Sequence, residues 1–168
     1  MYNCNLIVLS YHRFTKEPGE YQYSRTIEQF RTDLDSKVFD WITIDDGHAS
    51  ILQINHCLVS RNIKAKIFVS TSLVGTAGYC SWDDLRELSI YHDIENHSHS
   101  HENLAELNAE MVSYNIVKAN HIINREIDRT CRYFVPPFNK SRPIVEAAVA
   151  AMGLQLINNR TDILNTTP

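Results

Sequence analysis

Short apolar runs separated by stretches of helical periodicity constrain this chain more than any other feature. LIVLSY (6–11) is a continuous apolar run, as expected of a strand covered on both faces. WITI (41–44), AKIFVS (65–70), DIEN (93–96), RYFV (132–135) and LQLIN (154–158) read as further strands. The stretches between them read as helices. TIEQFRTDLDS opens with Thr26 and Gln29 in a capping-box pattern. Ile51, Ile54 and Leu58 share one face of 49–61, and Val112, Ile116, Ala119 and Ile123 one face of 108–127. In 141–152, Ser141 reads as the cap, Pro143 lies in the first turn and Gly153 just past the end. Such alternation predicts an α/β fold with a mostly parallel sheet, open or closed into a barrel. Functional groups in such folds collect at the carboxyl ends of strands. That rule selects the loops after Tyr11, Ile44, Asn96 and Val135.

With 168 residues, 43% of them hydrophobic, the chain suits a single domain spanning 1–168, with a tail at 159–168 that lacks regular patterning. A net charge of −4 without a basic stripe excludes a typical nucleic-acid binder. No apolar run approaches the roughly 20 residues of a membrane-spanning helix. The opening MYNCNLIVLSYHR lacks the basic region and cleavage site of a secretory signal. Cys4, Cys57, Cys80 and Cys131 form no C-x-x-C pair, which fits reduced thiols in the cytoplasm. EPGEYQY (17–23) reads as a longer loop. Composition leaves the oligomeric state open.

Chemistry concentrates in two stretches. TIDDG (43–47) ends a predicted strand in two carboxylates and a glycine, which by itself reads as a turn. HSHSH (97–101) follows another strand and holds His97 and His101 four apart, a separation used by metal sites when the segment coils into a helical turn. A catalytic divalent metal takes three protein ligands and keeps one position open. Two histidines and one carboxylate supply that set, leaving the second carboxylate as a general base. Adjacent side chains on an extended strand point opposite ways, so the two aspartates divide naturally between these tasks.

These motifs resemble those of the NodB-homology polysaccharide deacetylases, the fourth family of carbohydrate esterases. Thr43-Ile44-Asp45-Asp46-Gly47 is similar to that family's first motif and His97-Ser98-His99-Ser100-His101 to its second. YHRF, the stretch IKAKIFVSTSLVGTAGYCSWDDLRELS and RYFVPPFNK resemble further family segments, so the similarity runs from about Ile7 to Gly153. It implies a distorted (β/α) barrel of about six to seven mostly parallel strands, incomplete at the C-terminus. The implied activity is removal of N- or O-acetyl groups from an acetylated carbohydrate, with water activated at a divalent metal. Zinc is the first choice of metal, with cobalt or nickel as alternatives. Carried over by position, Asp46, His97 and His101 bind the metal, Asp45 is the base and the Phe138 backbone N–H stabilises the oxyanion.

The chain departs from the pattern in three places, one of them the absent aspartate-tryptophan motif, for which TDILN offers Asp162 but no tryptophan. Val135 stands where many members carry an arginine that orients the base, and the late leucine-x-histidine motif that supplies the general acid has no match. His12, at the end of the first strand, is the candidate replacement acid. His99 reads as a solvated or supporting residue. Trp82 reads as a sugar platform or a packing anchor, and His48, His56, His92 and His121 fit no motif. A protein of this lineage that binds metal or sugar without turnover is the alternative reading, and a phosphoesterase a weaker one.

Overall fold

The computed structural model describes residues 7–18, 23–158 and 161–162. Each strand read from an apolar run is present: β1 (Val8–Tyr11), β4 (Trp41–Ile44), β5 (Lys66–Val69), β6 (Asp93–Asn96), β7 (Tyr133–Phe134) and β8 (Gln155–Leu156). Two short strands, β2 (Arg13–Thr15) and β3 (Ser24–Thr26), form a separate parallel pair that no apolar run signals. The tail differs from expectation as well. Thr161–Asp162 forms β9, paired in parallel with Leu9 and Ser10, although its sequence carries no strand pattern. The main sheet runs β8-β7-β6-β5-β4-β1-β9 with every pair parallel. It curls into an incomplete barrel, open between β8 and β9 among the described residues. Residues 19–22 of the EPGEYQY loop, and 159–160 and 163–168 of the tail, lie outside the described residues, as does Cys4.

The helices are α1 (Ile27–Ser36), α2 (Ile51–Val59), α3 (Trp82–Leu88), α4 (Ala109–Ile127) and α5 (Pro143–Ala151). Thr26 closes the expected capping box with Gln29. At α5 the expected cap shifts by one residue: Arg142 occupies the N-cap position and Ser141 lies outside it. Pro143 at the first helical position fixes the start, since its missing N–H costs nothing there.

Period-two alternation gives the sheet two different faces. Leu9, Ile42, Ile44, Ile67, Val69, Ile94 and Phe134 pack into the main core against Phe30, Leu58, Leu85, Ile116 and Val145 of the helices. The inner face holds a smaller cluster of Phe68, Val135 and Ile157, beside Trp41 and Tyr133. At its amino end Lys66 lies 4.6 Å from the ring centroids of both Trp41 and Tyr133, and its ammonium reaches Asp93 at 3.5 Å. Carrying the same alternation past the strand ends, from Ser10 to His12, Thr43 to Asp45 and Glu95 to His97, leads onto the inner face.

His92 is a core histidine. A backbone amide only donates, so Nδ1 of His92 accepts from Ala65 N–H at 3.2 Å, and Nε2 faces Asn55 Oδ1 at 2.9 Å. Burial pushes its pKa below the usual 6.5, with Lys64 adding to this and Asp93 opposing it. The unfolded chain therefore takes up this proton more readily than the folded one. The contribution of His92 is complete above the unfolded value and declines as pH falls below it toward the depressed folded value. His92→Leu leaves the Ala65 N–H unsatisfied and is expected to cost about 1–3 kcal/mol at pH 7.5. The cost should shrink at pH 5 in metal-free protein. Denaturant titrations at the two pH values check this, and an equal cost at both would refute it.

Candidate functional site

The selected loops converge at the carboxyl end of the sheet. His12, Asp45, Asp46, His97, His101 and Phe138 line one cavity of about 340 Å³ together with Tyr23, Asn139 and Lys140. Asp46 is its centre. Its Oδ1 lies 3.0 Å from His101 Nε2 and 3.3 Å from His97 Nε2. These three groups offer ligand atoms within 4.8 Å of one another, the one such cluster among the described residues.

The backbone that presents them differs from the sequence expectation in two respects. Asp46 is not extended: its φ of +71°, followed by Gly47 at +77°, turns the chain so that the neighbouring carboxylates diverge. Nor does 97–101 form a helical turn. It is a bend with Ser98 at φ +70° and His101 at +58°. Hydrogen bonds from buried side chains hold this unusual path. Asn96 Oδ1 accepts from Ser98 N–H at 2.8 Å, Ser98 Oγ from His101 N–H at 3.3 Å, and Asn115 Oδ1 from Ser100 N–H at 2.9 Å. Sequence reading missed Asn96 and Asn115, because nothing marks Asn96 as the brace of the turn that follows it or Asn115 as the brace of a loop 15 positions away.

Gly47 is required twice over. A Cβ there would lie 3.0 Å from Val69 Cγ1, and the φ is one that side-chain-bearing residues rarely adopt. Gly47→Ala is expected to destabilise the protein by more than about 1 kcal/mol. It should also weaken cation binding, because relief of the clash moves Asp46. Urea denaturation and isothermal titration with zinc measure the two effects, and a variant unchanged in both would disprove the steric account.

Burial of Asp46 acts to raise its pKa, but hydrogen bonds from His101 and His97, aided by the charges of His97 and His12, hold it well below the usual carboxylate range. For His97, burial disfavours the charged form. The hydrogen bond to Asp46 and the charges of Asp45 and Asp46 outweigh it, and the pKa moves up. One contact decides the tautomer. His97 Nδ1 lies 2.7 Å from the Val135 carbonyl oxygen, which can only accept, so Nδ1 carries a proton. In a neutral imidazole, Nε2 then turns a lone pair toward Asp46 Oδ1. Lone pair against carboxylate is tolerable only with a cation between them, a proton or a metal. One carboxylate and two imidazoles whose Nε2 atoms converge on it suit zinc and similar divalent ions, and the carbonyl behind His97 is the orienting partner such ligands use.

Asp45 is 1% exposed and its backbone N–H donates to the Tyr11 carbonyl at 2.8 Å. Its Oδ2 lies 3.8 Å from His12 Nε2. Phe138 follows Pro136 and Pro137, neither of which has an N–H, so it supplies the first amide donor after Val135. Its φ of +60° sets this amide in a tight turn, and its ring sits 5.1 Å from that of His101. The remaining candidates fall outside the cavity lining. Trp82 packs against the core, His99 pairs through Nδ1 with Thr71 Oγ1 at 2.8 Å, and His56 and His121 are exposed. His48 Nδ1 accepts from Ser50 N–H at 3.2 Å, while Ser50 Oγ accepts from Phe14 N–H at 2.9 Å. The loop carrying Asp45 and Asp46 is thereby tied to the strand beside His12.

An incomplete parallel (β/α) barrel with an Asp-His-His cluster at the carboxyl ends of its strands is the architecture of the deacetylases that act on polysaccharides. The chain belongs to the polysaccharide deacetylase family, whose sequence profile matches residues 33–157. That span includes Asp45, Asp46, His97, His101 and Phe138 but not His12. No curated protein sequence matches the chain. Among solved structures it is similar to the Streptococcus pyogenes deacetylase PplD in complex with acetate, with a TM-score of 0.81 and 14% identity, over 88% of this chain and 80% of that one. It is also similar to IcaB from Ammonifex degensii, with a TM-score of 0.77 and 19% identity, over 89% and 81%. A carbohydrate esterase family 4 pseudoenzyme from Bacillus anthracis, BA3943, shares the fold over 69% of this chain and 41% of its own, with a TM-score of 0.59 and 20% identity.

Proposed function

We propose that the protein is a metal-dependent carbohydrate deacetylase, hydrolysing an N- or O-acetyl group on a sugar. The observation that carries this reading is the convergence of Asp46 Oδ1 with both imidazole Nε2 atoms in the cavity that also holds Asp45 and His12. Asp46, His97 and His101 hold the cation, with zinc as the best match to two imidazoles and one carboxylate. When bound, the ion supplies Lewis acidity toward the acetyl carbonyl and toward water. The other steps belong to side chains of this chain. Asp45 takes a proton from the attacking water as its oxygen bonds to the acetyl carbon. The Phe138 N–H donates to the oxygen on which negative charge develops. As the bond from carbon to the sugar nitrogen or oxygen breaks, His12 gives that atom a proton, and the free sugar amine or hydroxyl departs with acetic acid, which loses its proton to solvent as acetate. Transfer of the proton from Asp45 to solvent and uptake of one by His12 restore the site. The described cysteines are all free and buried, in keeping with a cytoplasmic setting.

The test is acetate release from acetylated oligosaccharides by protein stripped of metal and then reloaded with zinc, cobalt or nickel. Reloading is expected to restore turnover. Protein that binds zinc but releases no acetate from any N- or O-acetylated substrate would instead be a deacetylase-like binder.

A further inference from the structure

We infer that Tyr23 is a positioning residue for His12, an assignment that rests on the proposed role of His12 as the acid. The backbone sets up the pair. In the β2–β3 ladder Arg13 is registered with Ser24, and Arg13 N–H donates to the Tyr23 carbonyl at 3.3 Å. Residue 23 is thereby held beside residue 12 by main-chain pairing across the intervening loop. The Tyr23 ring lies against the His12 imidazole with centroids 5.2 Å apart and planes inclined by 38°.

What remains for Tyr23 to control follows from how firmly the chain on either side of His12 is held. Tyr11 is buried, its ring 4.9 Å from Phe30 and its hydroxyl donating to Asp33 at 3.1 Å. Phe14 N–H is fixed on Ser50 Oγ. The backbone of His12 is therefore anchored on both sides, and the freedom left to it is rotation of a side chain that is 21% exposed. The ring of Tyr23 walls off one side of that rotation and leaves Nε2 toward Asp45 and the cavity. A group that must deliver a proton to one atom gains most from such confinement, since a misplacement of about 1 Å costs on the order of a hundredfold in rate. Tyr23 is 45% exposed, so removing its ring leaves the core untouched.

The experiment compares two substrates. An N-acetylated oligosaccharide needs a proton on its leaving nitrogen, whereas 4-nitrophenyl acetate has a leaving group that departs without one. Tyr23→Ala is expected to lower kcat on the N-acetyl substrate by about tenfold to a hundredfold. KM on that substrate and turnover of the nitrophenyl ester should stay near wild type, and Tyr23→Phe, which keeps the ring, should behave as wild type on both. In metal-free protein, the ring-current shift of the His12 imidazole protons should vanish in Tyr23→Ala and persist in Tyr23→Phe. A raised KM with unchanged kcat would overturn the inference in favour of a sugar-stacking role, and so would an unaltered N-acetyl kcat. His12→Gln separates this from failure of the underlying reading. It should lose N-acetyl turnover and spare the ester, and equal effects on both substrates would show that His12 is not the acid.

Discussion

Asp46→Ala is expected to abolish both cation binding and deacetylation. The carboxylate is the point on which His97 and His101 converge, at 3.3 and 3.0 Å, and it carries the only formal negative charge in the cluster. Without it the two imidazoles meet no counter-charge, and the coordination set falls from three ligands to two. Loss of a partner outside the ligand set costs about 10–100-fold in metal affinity. Loss of the central ligand should cost more, with turnover falling to background. Titration calorimetry with zinc and an acetate assay measure the two, and a variant binding zinc as tightly as wild type would rule out this ligand set. The pH dependence has a definite sign. The raised pKa of His97 means that a proton competes with the cation for Nε2. Zinc affinity in the wild type should therefore fall as pH drops below that raised value.

Asp45→Asn is expected to separate the two functions. The amide is nearly isosteric, and burial favours the neutral group, so the 1%-exposed site should accept it without unfolding. What it cannot do is take a proton from water. Loss of a general base costs about 10²–10⁴-fold in rate. The expected pattern is a kcat lowered within that range, zinc affinity within a fewfold of wild type, and little change in Tm. If Asp45→Asn lost zinc and Asp46→Ala kept it, the roles of the two aspartates would be reversed. If Asp45→Asn kept full activity, the base would lie elsewhere.

Much of the fold was legible because its signals are local. An apolar run of four to six residues states that a segment is covered on both faces, and Thr26 with Gln29 states where a helix begins. The candidate site was half legible. TIDDG and HSHSH carry side chains that cluster in the structure, in a resemblance that spans both, and the loops that the parallel-sheet rule selects do line one cavity. The braces of the site were not legible. Asn96, Asn115 and the Val135 carbonyl act across 15 or more positions, to or through backbone atoms common to every residue. Trp82 read as either of two things, and the structure packs it, half-buried, against the core and outside the cavity lining.

By itself the sequence determined the strand and helix alternation, the parallel class of the sheet and the residue types available to hold a cation. These follow from periodicity and side-chain chemistry, which a few neighbouring residues suffice to encode. Only the tertiary structure decided how those residues are aimed. Positive φ at Asp46, Ser98 and His101 replaced the extended strand and helical turn that spacing suggested, because buried hydrogen bonds and the close approach of Gly47 to Val69 hold those angles. Strand register also brought Tyr23 to His12 and Thr161 to Leu9. Register is a property of two segments at once, and neither segment alone contains it.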